Sequence, residues 1–91
     1  SYAYLKDLSV DVVKVDGVFV RDMLNERSSH AMVKSIVDIA HYMDKKVIAE
    51  FAETEAQIIA LRELDVDFAQ GFGVGRPMPL QSITHKLAAA S

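Results

Sequence analysis

Val10, Val12, Lys14 and Asp16 alternate with Asp11, Val13 and Val15, a period of two that predicts a strand over 10–16. Two shorter apolar runs, Lys46-Val47-Ile48-Ala49-Glu50 and Asp67-Phe68-Ala69-Gln70, predict two more strands. The segments between them change period. Phe19, Val20, Met23 and Leu24 are spaced for one or two helical turns, and Met32, Val33, Ile36, Val37, Ala40 and Met43 recur at three- and four-residue steps. That second stripe predicts a strong amphipathic helix with Lys34, Asp38 and His41 on its outer face, and it places Met23, Met32 and Met43 in the core. Ile58, Leu61 and Leu64 form the buried stripe of another helix. The order is β-α-β-α-β, the signature of a parallel α/β unit.

Boundary residues agree with this division. Ser28 or Ser29 offers an N-cap for the long helix, and Thr54 to Gln57 fits a capping box that starts the next one. Asp44 and Asp65 stand where a glycine would usually end a helix, so an aspartate takes the left-handed turn position at both. Gly17 closes the first strand at a sharp turn, and 71–77 reads as a glycine-rich loop. Ser1 to Leu8 resembles the end of a helix, and a last helix is expected from Gln81 to Ala90. Three parallel strands with two crossovers neither close into a barrel nor cover both sheet faces. The unit therefore reads as part of a larger domain.

Composition narrows the function classes. With 91 residues, 51% hydrophobic, the chain forms a core, and a formal charge of -3 leaves no basic footprint for DNA. There is no cysteine, which excludes disulfides and thiolate metal sites and fits a cytoplasmic setting. The apolar runs are short and interrupted by charge, so no membrane segment is expected in this sequence.

Candidate chemistry lies at the carboxyl ends of the strands, where parallel α/β folds collect their ligands. Alternation lets Lys14, Glu50 and Gln70 converge on one face at one end. A lysine beside a glutamate within an apolar sheet is either a structural ion pair or a functional pair, because an isolated buried charge is very costly. Glu53 follows Glu50 by three residues and could share ligand work with it or simply favour the dipole of the next helix. The run Gly71-Phe72-Gly73-Val74-Gly75-Arg76-Pro77 has its third glycine too early for a dinucleotide fingerprint. It remains either a loop that meets phosphate or base through Arg76, or a plain surface connection. His30, His41 and His85 have the look of solvated helix residues and make no metal case.

Several motifs occur together and in order. They are Leu5-Lys6-x-Leu8, Asp11-x-x-Lys14-Val15-Asp16-Gly17-x-Phe19-Val20, Ile48-Ala49-Glu50-Phe51-Ala52-Glu53-Thr54, Gln70-Gly71-Phe72, and Arg76-Pro77. This set, spread over nearly the whole chain, resembles the C-terminal part of bacterial EAL domains. The resemblance implies a (β/α)8 TIM-like barrel that hydrolyses cyclic di-GMP to the linear 5′-pGpG with two Mg²⁺ or Mn²⁺ ions. Residues 1–91 would be its C-terminal portion, three βα units with parallel strands as the last three of the barrel.

On that resemblance, Lys14 is the active-site lysine near the water and the scissile phosphate. Glu50 is the essential glutamate, a metal ligand and candidate base. Glu53 and Gln70 contact the ligand or shape the pocket, Phe51, Arg76 and Pro77 lie near the guanine or the loop wall, and Asp16 is a strand-end residue of the same pocket. The family's usual Glu-Gly-Val-Glu is here Glu50-Phe51-Ala52-Glu53, which puts a bulky ring at the pocket rim. The Glu-Ala-Leu signature and the remaining metal ligands are expected upstream of Ser1, together with GGDEF, PAS or receiver-type regulatory domains. Three functional expectations follow: a phosphodiesterase whose fragment alone is inactive, a degenerate EAL domain that binds cyclic di-GMP without cleaving it, or a fragment that forms a homo-oligomer through its open sheet edges.

Overall fold

The computed structural model describes residues 11–71 and 74–83, with side chains described up to 71 and again from 77. Strand β1 (Val12–Val15) leads into a short helix α1 (Gly17–Asp22) and the long helix α2 (Arg27–Tyr42). Strand β2 (Lys46–Ala49), helix α3 (Glu55–Glu63) and strand β3 (Phe68–Gly71) follow. The chain then returns as β4 (Val74–Pro79) and ends its described part in a 3-10 turn, Leu80–Ser82. The expected helix end at Ser1 to Leu8, Phe72-Gly73 of the glycine run and residues 84–90 of the expected last helix lie outside the described residues, while Gln81 and Ser82, where that helix is expected to begin, form part of the 3-10 turn.

The sheet order is β1-β2-β3-β4. The first three strands are parallel, with Lys14 opposite Ile48 and Ala49 opposite Ala69. The fourth is antiparallel to β3, pairing Ala69 with Met78 and Phe68 with Pro79. It corrects the reading of 71–77 as a loop. The glycines and prolines look like loop punctuation, but β4 lies at the end of the sheet order, where a strand can hold prolines because one of its sides need not donate to a ladder. Its return satisfies backbone groups of β3 that a surface loop would leave unpaired.

Both helices pack on one face of the sheet. Val15, Val47, Ala49 and Ala69 meet Val33, Val37 and Ala40 of α2 and Ile58 and Leu61 of α3, with Val20 and Met23 closing the cluster. Fully burying such aliphatic side chains contributes roughly 1.5–3 kcal/mol each. Among the described residues, the opposite face carries a small cluster of Ile48, Phe68 and Val12. This one-sided coverage is what a piece of a barrel wall presents: helices outside, a strand face inside.

Local stops and starts match the sequence except at the start of the long helix. Thr54 caps α3 in a complete capping box with Gln57, and Asp44 and Asp65 take positive φ angles of 59° and 64°. Helix α2, however, starts at Arg27 after Glu26, without a side-chain cap. Ser29 belongs to its buried face and donates its hydroxyl to Glu26 Oε2 at 3.2 Å. The buried stripe is accordingly Ser29, Val33, Val37 and Ala40. Met32 and Met43 are exposed, while Met23 is buried as expected.

Candidate functional site

Strand register decides which candidates meet. Lys14 pairs with Ile48, which pairs with Phe68, so these three point to one face of the sheet. Glu50 lies just past the end of β2, two residues beyond Ile48, and Gln70 lies in β3 where its pairing with β4 shifts register. All three candidates thus stand at or near the carboxyl ends of neighbouring parallel strands, with Lys14 aligned on the face of Ile48 and Phe68.

Lys14 is exposed, and Glu50 and Gln70 are half-buried. The structural ion pair is not formed: among the described residues neither the Lys14 ammonium nor the Glu50 carboxylate has a charged partner within 4.0 Å. Among the described residues, these two charged side chains thus stand near the strand ends without a charged partner that explains them. The described residues also contain no group of three or more His, Cys, Asp or Glu side chains placed to hold a metal ion. Glu50 offers a hard oxygen donor there, but alone it does not make a metal site.

The segment after β2 is held at several points. Glu50 N–H donates to the Val15 carbonyl at 3.0 Å, Ala52 N–H to the Gln70 carbonyl at 3.0 Å, and Glu53 N–H to Gln57 Oε1 at 2.7 Å. Between them Phe51 adopts φ 56°, a left-handed conformation uncommon for a bulky residue, and the residue is 66% exposed. Asp16, Phe51 and Glu53 line a cleft of about 410 Å³ together with Gly17, Val18, Arg21, Thr54 and Gln57. Lys14, Glu50 and Gln70 do not line it. The candidates therefore fall into two adjoining groups, one on the sheet face and one in a cleft beside it, and Glu50-Phe51 joins them.

Asp16 and Gly17 carry roles the sequence reading assigned differently. Asp16 lies one residue past β1 and caps α1, its Oδ1 accepting the Val18 N–H at 3.0 Å. Gly17 makes room for Phe51 rather than closing a turn: a Cβ on it would lie 2.5 Å from Phe51 Cδ2 and 2.9 Å from Phe51 Cβ. Gly71, at φ 150°, faces the Ala52 carbonyl so closely that a Cβ there would collide with it. Its freedom serves contact between protein segments. Pro77 is half-buried in β4, one residue before Met78, and Arg76 belongs to the same strand.

One important residue was missed altogether. Asp67 stands at the opposite end of the sheet, where its Oδ2 accepts the Val47 N–H at 2.8 Å and bonds His41 Nε2 at 2.7 Å. His41 is thus a half-buried partner that ties α2 to the start of β3, not a solvated outer-face residue. No periodicity could reveal a pair separated by twenty-six positions.

With this geometry in place, comparison with known proteins is decisive. The EAL domain model matches residues 1–77. The chain belongs to the EAL domain family. It is 43% identical over 82 residues to the cyclic di-GMP phosphodiesterase PdeB of Shewanella oneidensis, covering 90% of this chain and 10% of that protein. It is 42% identical over 80 residues to the probable cyclic di-GMP phosphodiesterase PdeA of Escherichia coli, covering 88% and 11%. Among solved structures, the EAL domain protein from Listeria monocytogenes EGD-e superposes with a TM-score of 0.67 at 35% identity, over 98% of this chain and 36% of that one. The PaMucR phosphodiesterase in complex with c-di-GMP gives a TM-score of 0.67 at 36% identity, over 91% and 34%. The EAL chain thus spans about a tenth of the length of these curated relatives and roughly a third of the solved domains. Its α/β architecture is that of part of the EAL barrel, with β4 an antiparallel addition to three parallel strands. No helix among the described residues is long and apolar enough to cross a membrane.

Proposed function

We propose that residues 1–91 form the C-terminal portion of an EAL barrel that hydrolyses cyclic di-GMP to 5′-pGpG. The observation that supports this reading is the run of three neighbouring parallel strands, with Lys14, Glu50 and Gln70 at or next to their carboxyl ends, the end where such barrels hold their chemistry. The names of the relatives support the substrate, since PdeB and PdeA are both cyclic di-GMP phosphodiesterases by name.

Each residue then has a chemical task. Hydrolysis of a phosphodiester adds water to phosphorus, expels one ribose oxygen and needs a proton taken from the water. The Glu50 carboxylate, without an internal charged partner among the described residues, is available as that base or as a metal ligand. The Lys14 ammonium faces the same open space and supplies positive charge to the phosphate oxygens as negative charge grows on them. Gln70 shapes the pocket beside Glu50. Asp16, Phe51 and Glu53 line the adjoining cleft and meet the outer part of the dinucleotide, with Arg76 and Pro77 on the β4 side. Mg²⁺ or Mn²⁺, when bound in the complete domain with carboxylates from outside this chain, would neutralise phosphate charge and acidify water. The cytoplasm is the proposed setting, with GGDEF, PAS or receiver-type domains as regulatory partners in the whole protein.

Turnover of cyclic di-GMP by the complete domain, beside Lys14→Ala and Glu50→Ala, tests this. Loss of hydrolysis in both variants with folding retained is expected, and undiminished hydrolysis in either sinks its assigned role. Binding by the wild type without any hydrolysis favours the receptor reading instead.

A further inference from the structure

The peptide that carries Glu50 turns sharply at Phe51, beside the other βα loop. The N–H groups of Glu50, Ala52 and Glu53 are tied down, which holds the peptides on either side of Phe51 around its left-handed turn. Phe51 itself is two-thirds exposed, so burial adds little to that hold. What it does meet is Gly17, the first residue of α1, at a separation that leaves no room for a methyl group. The restriction involves Phe51 Cβ as well as the ring edge, at 2.9 Å and 2.5 Å from an added Cβ. A ring edge could swing aside by rotation about χ1, but Cβ moves only if the backbone moves. Any side chain at position 17 therefore forces the backbone at Phe51 or the start of α1 to give way.

We propose that Gly17 is a positioning residue for the phosphodiesterase reaction: by admitting Phe51 against α1 it sets the direction in which the Glu50 carboxylate leaves β2. The inference rests on the placement of Glu50 at the reacting phosphate. It goes beyond that placement because Gly17 touches neither substrate nor metal and acts only through Phe51. Gly17 opens α1 without a positive φ angle, so alanine meets no backbone strain there. A loss on Gly17→Ala thus comes from the Phe51 contact and not from the local backbone.

The test is a two-by-two set in the complete EAL domain: wild type, Gly17→Ala, Phe51→Gly, and the double variant. Rates are measured per folded molecule well below the unfolding temperature. Gly17→Ala is expected to lower kcat at least about tenfold, within the roughly hundredfold cost of a ~1 Å misplacement of a reacting group. In the Phe51→Gly background the same change is expected to cost less than about twofold, because the obstructing side chain is gone and glycine accepts positive φ. A merely structural role would reduce the folded fraction and leave kcat per folded molecule unchanged.

Amide chemical shifts of Glu50, Ala52 and Glu53 give a second readout independent of turnover. They should move in Gly17→Ala and stay close to the Phe51→Gly values in the double variant. Equal loss of kcat in both backgrounds, or unmoved shifts, overturns the coupling; moved shifts with unchanged kcat overturn the positioning role. A wild-type domain without turnover overturns the functional reading, and the shifts still decide the contact.

Discussion

Replacing Asp67 by alanine removes an acceptor from two donors at once. Its Oδ2 receives the Val47 N–H at 2.8 Å and the His41 Nε2 at 2.7 Å. Val47 is fully buried, so its N–H finds no water when the carboxylate is gone. An unsatisfied buried donor costs about 1–3 kcal/mol, and a hydrogen bond to a charged group is worth about 1.5–3 kcal/mol; these describe the same loss and do not add. The His41 contact is partly solvated, with side chains 35% and 22% exposed, and contributes about 0–1 kcal/mol. Together they predict a destabilisation of about 1–4 kcal/mol for Asp67→Ala. Asp67→Asn keeps an acceptor for Val47 and should cost about half as much, and His41→Ala about 1 kcal/mol or less. Urea unfolding of the complete domain followed by circular dichroism reads these values as midpoint shifts at constant slope. If His41→Ala costs as much as Asp67→Ala, the energy resides in the exposed pair and the reasoning about Val47 is wrong. So it is if Asp67→Ala stays within about 0.5 kcal/mol of wild type, the usual scatter of surface changes.

Gly71→Ala should destabilise by about 1–3 kcal/mol or more, since it combines a positive φ with a collision against the Ala52 carbonyl; a neutral result in thermal unfolding would contradict both. Thr54→Ala removes the acceptor of the Gln57 N–H bond of 3.1 Å and should cost roughly 1 kcal/mol, with Thr54→Ser recovering most of it in the same denaturation assay. Lys14→Ala should separate stability from function: exposed and without an ion pair among the described residues, it should shift stability by less than about 0.5 kcal/mol while hydrolysis is lost, and a parallel loss of both would make Lys14 structural.

Period and punctuation alone determined much of this protein. The three parallel strands, the helices between them, the Thr54 capping box and the two aspartates at left-handed helix ends were legible because each depends on residues within one or two turns of each other. Alternation also put Lys14 on one face with Ile48 and Phe68, since side-chain direction in a strand is local. Motif order then pointed to the EAL family. Everything that joins distant positions was decided by the tertiary structure. The strand β4 hides behind glycines and prolines because its pairing with β3, not its own propensity, makes it a strand. The rotation of the buried stripe from Met32 and Met43 to Ser29 follows from which side of α2 meets the sheet. Asp67 finds His41 and Val47, and Gly17 finds Phe51, only once the strands have stacked side by side. Local rules act over a few residues of chain, whereas a methyl-sized gap or a shared carboxylate exists only where separate elements converge in space.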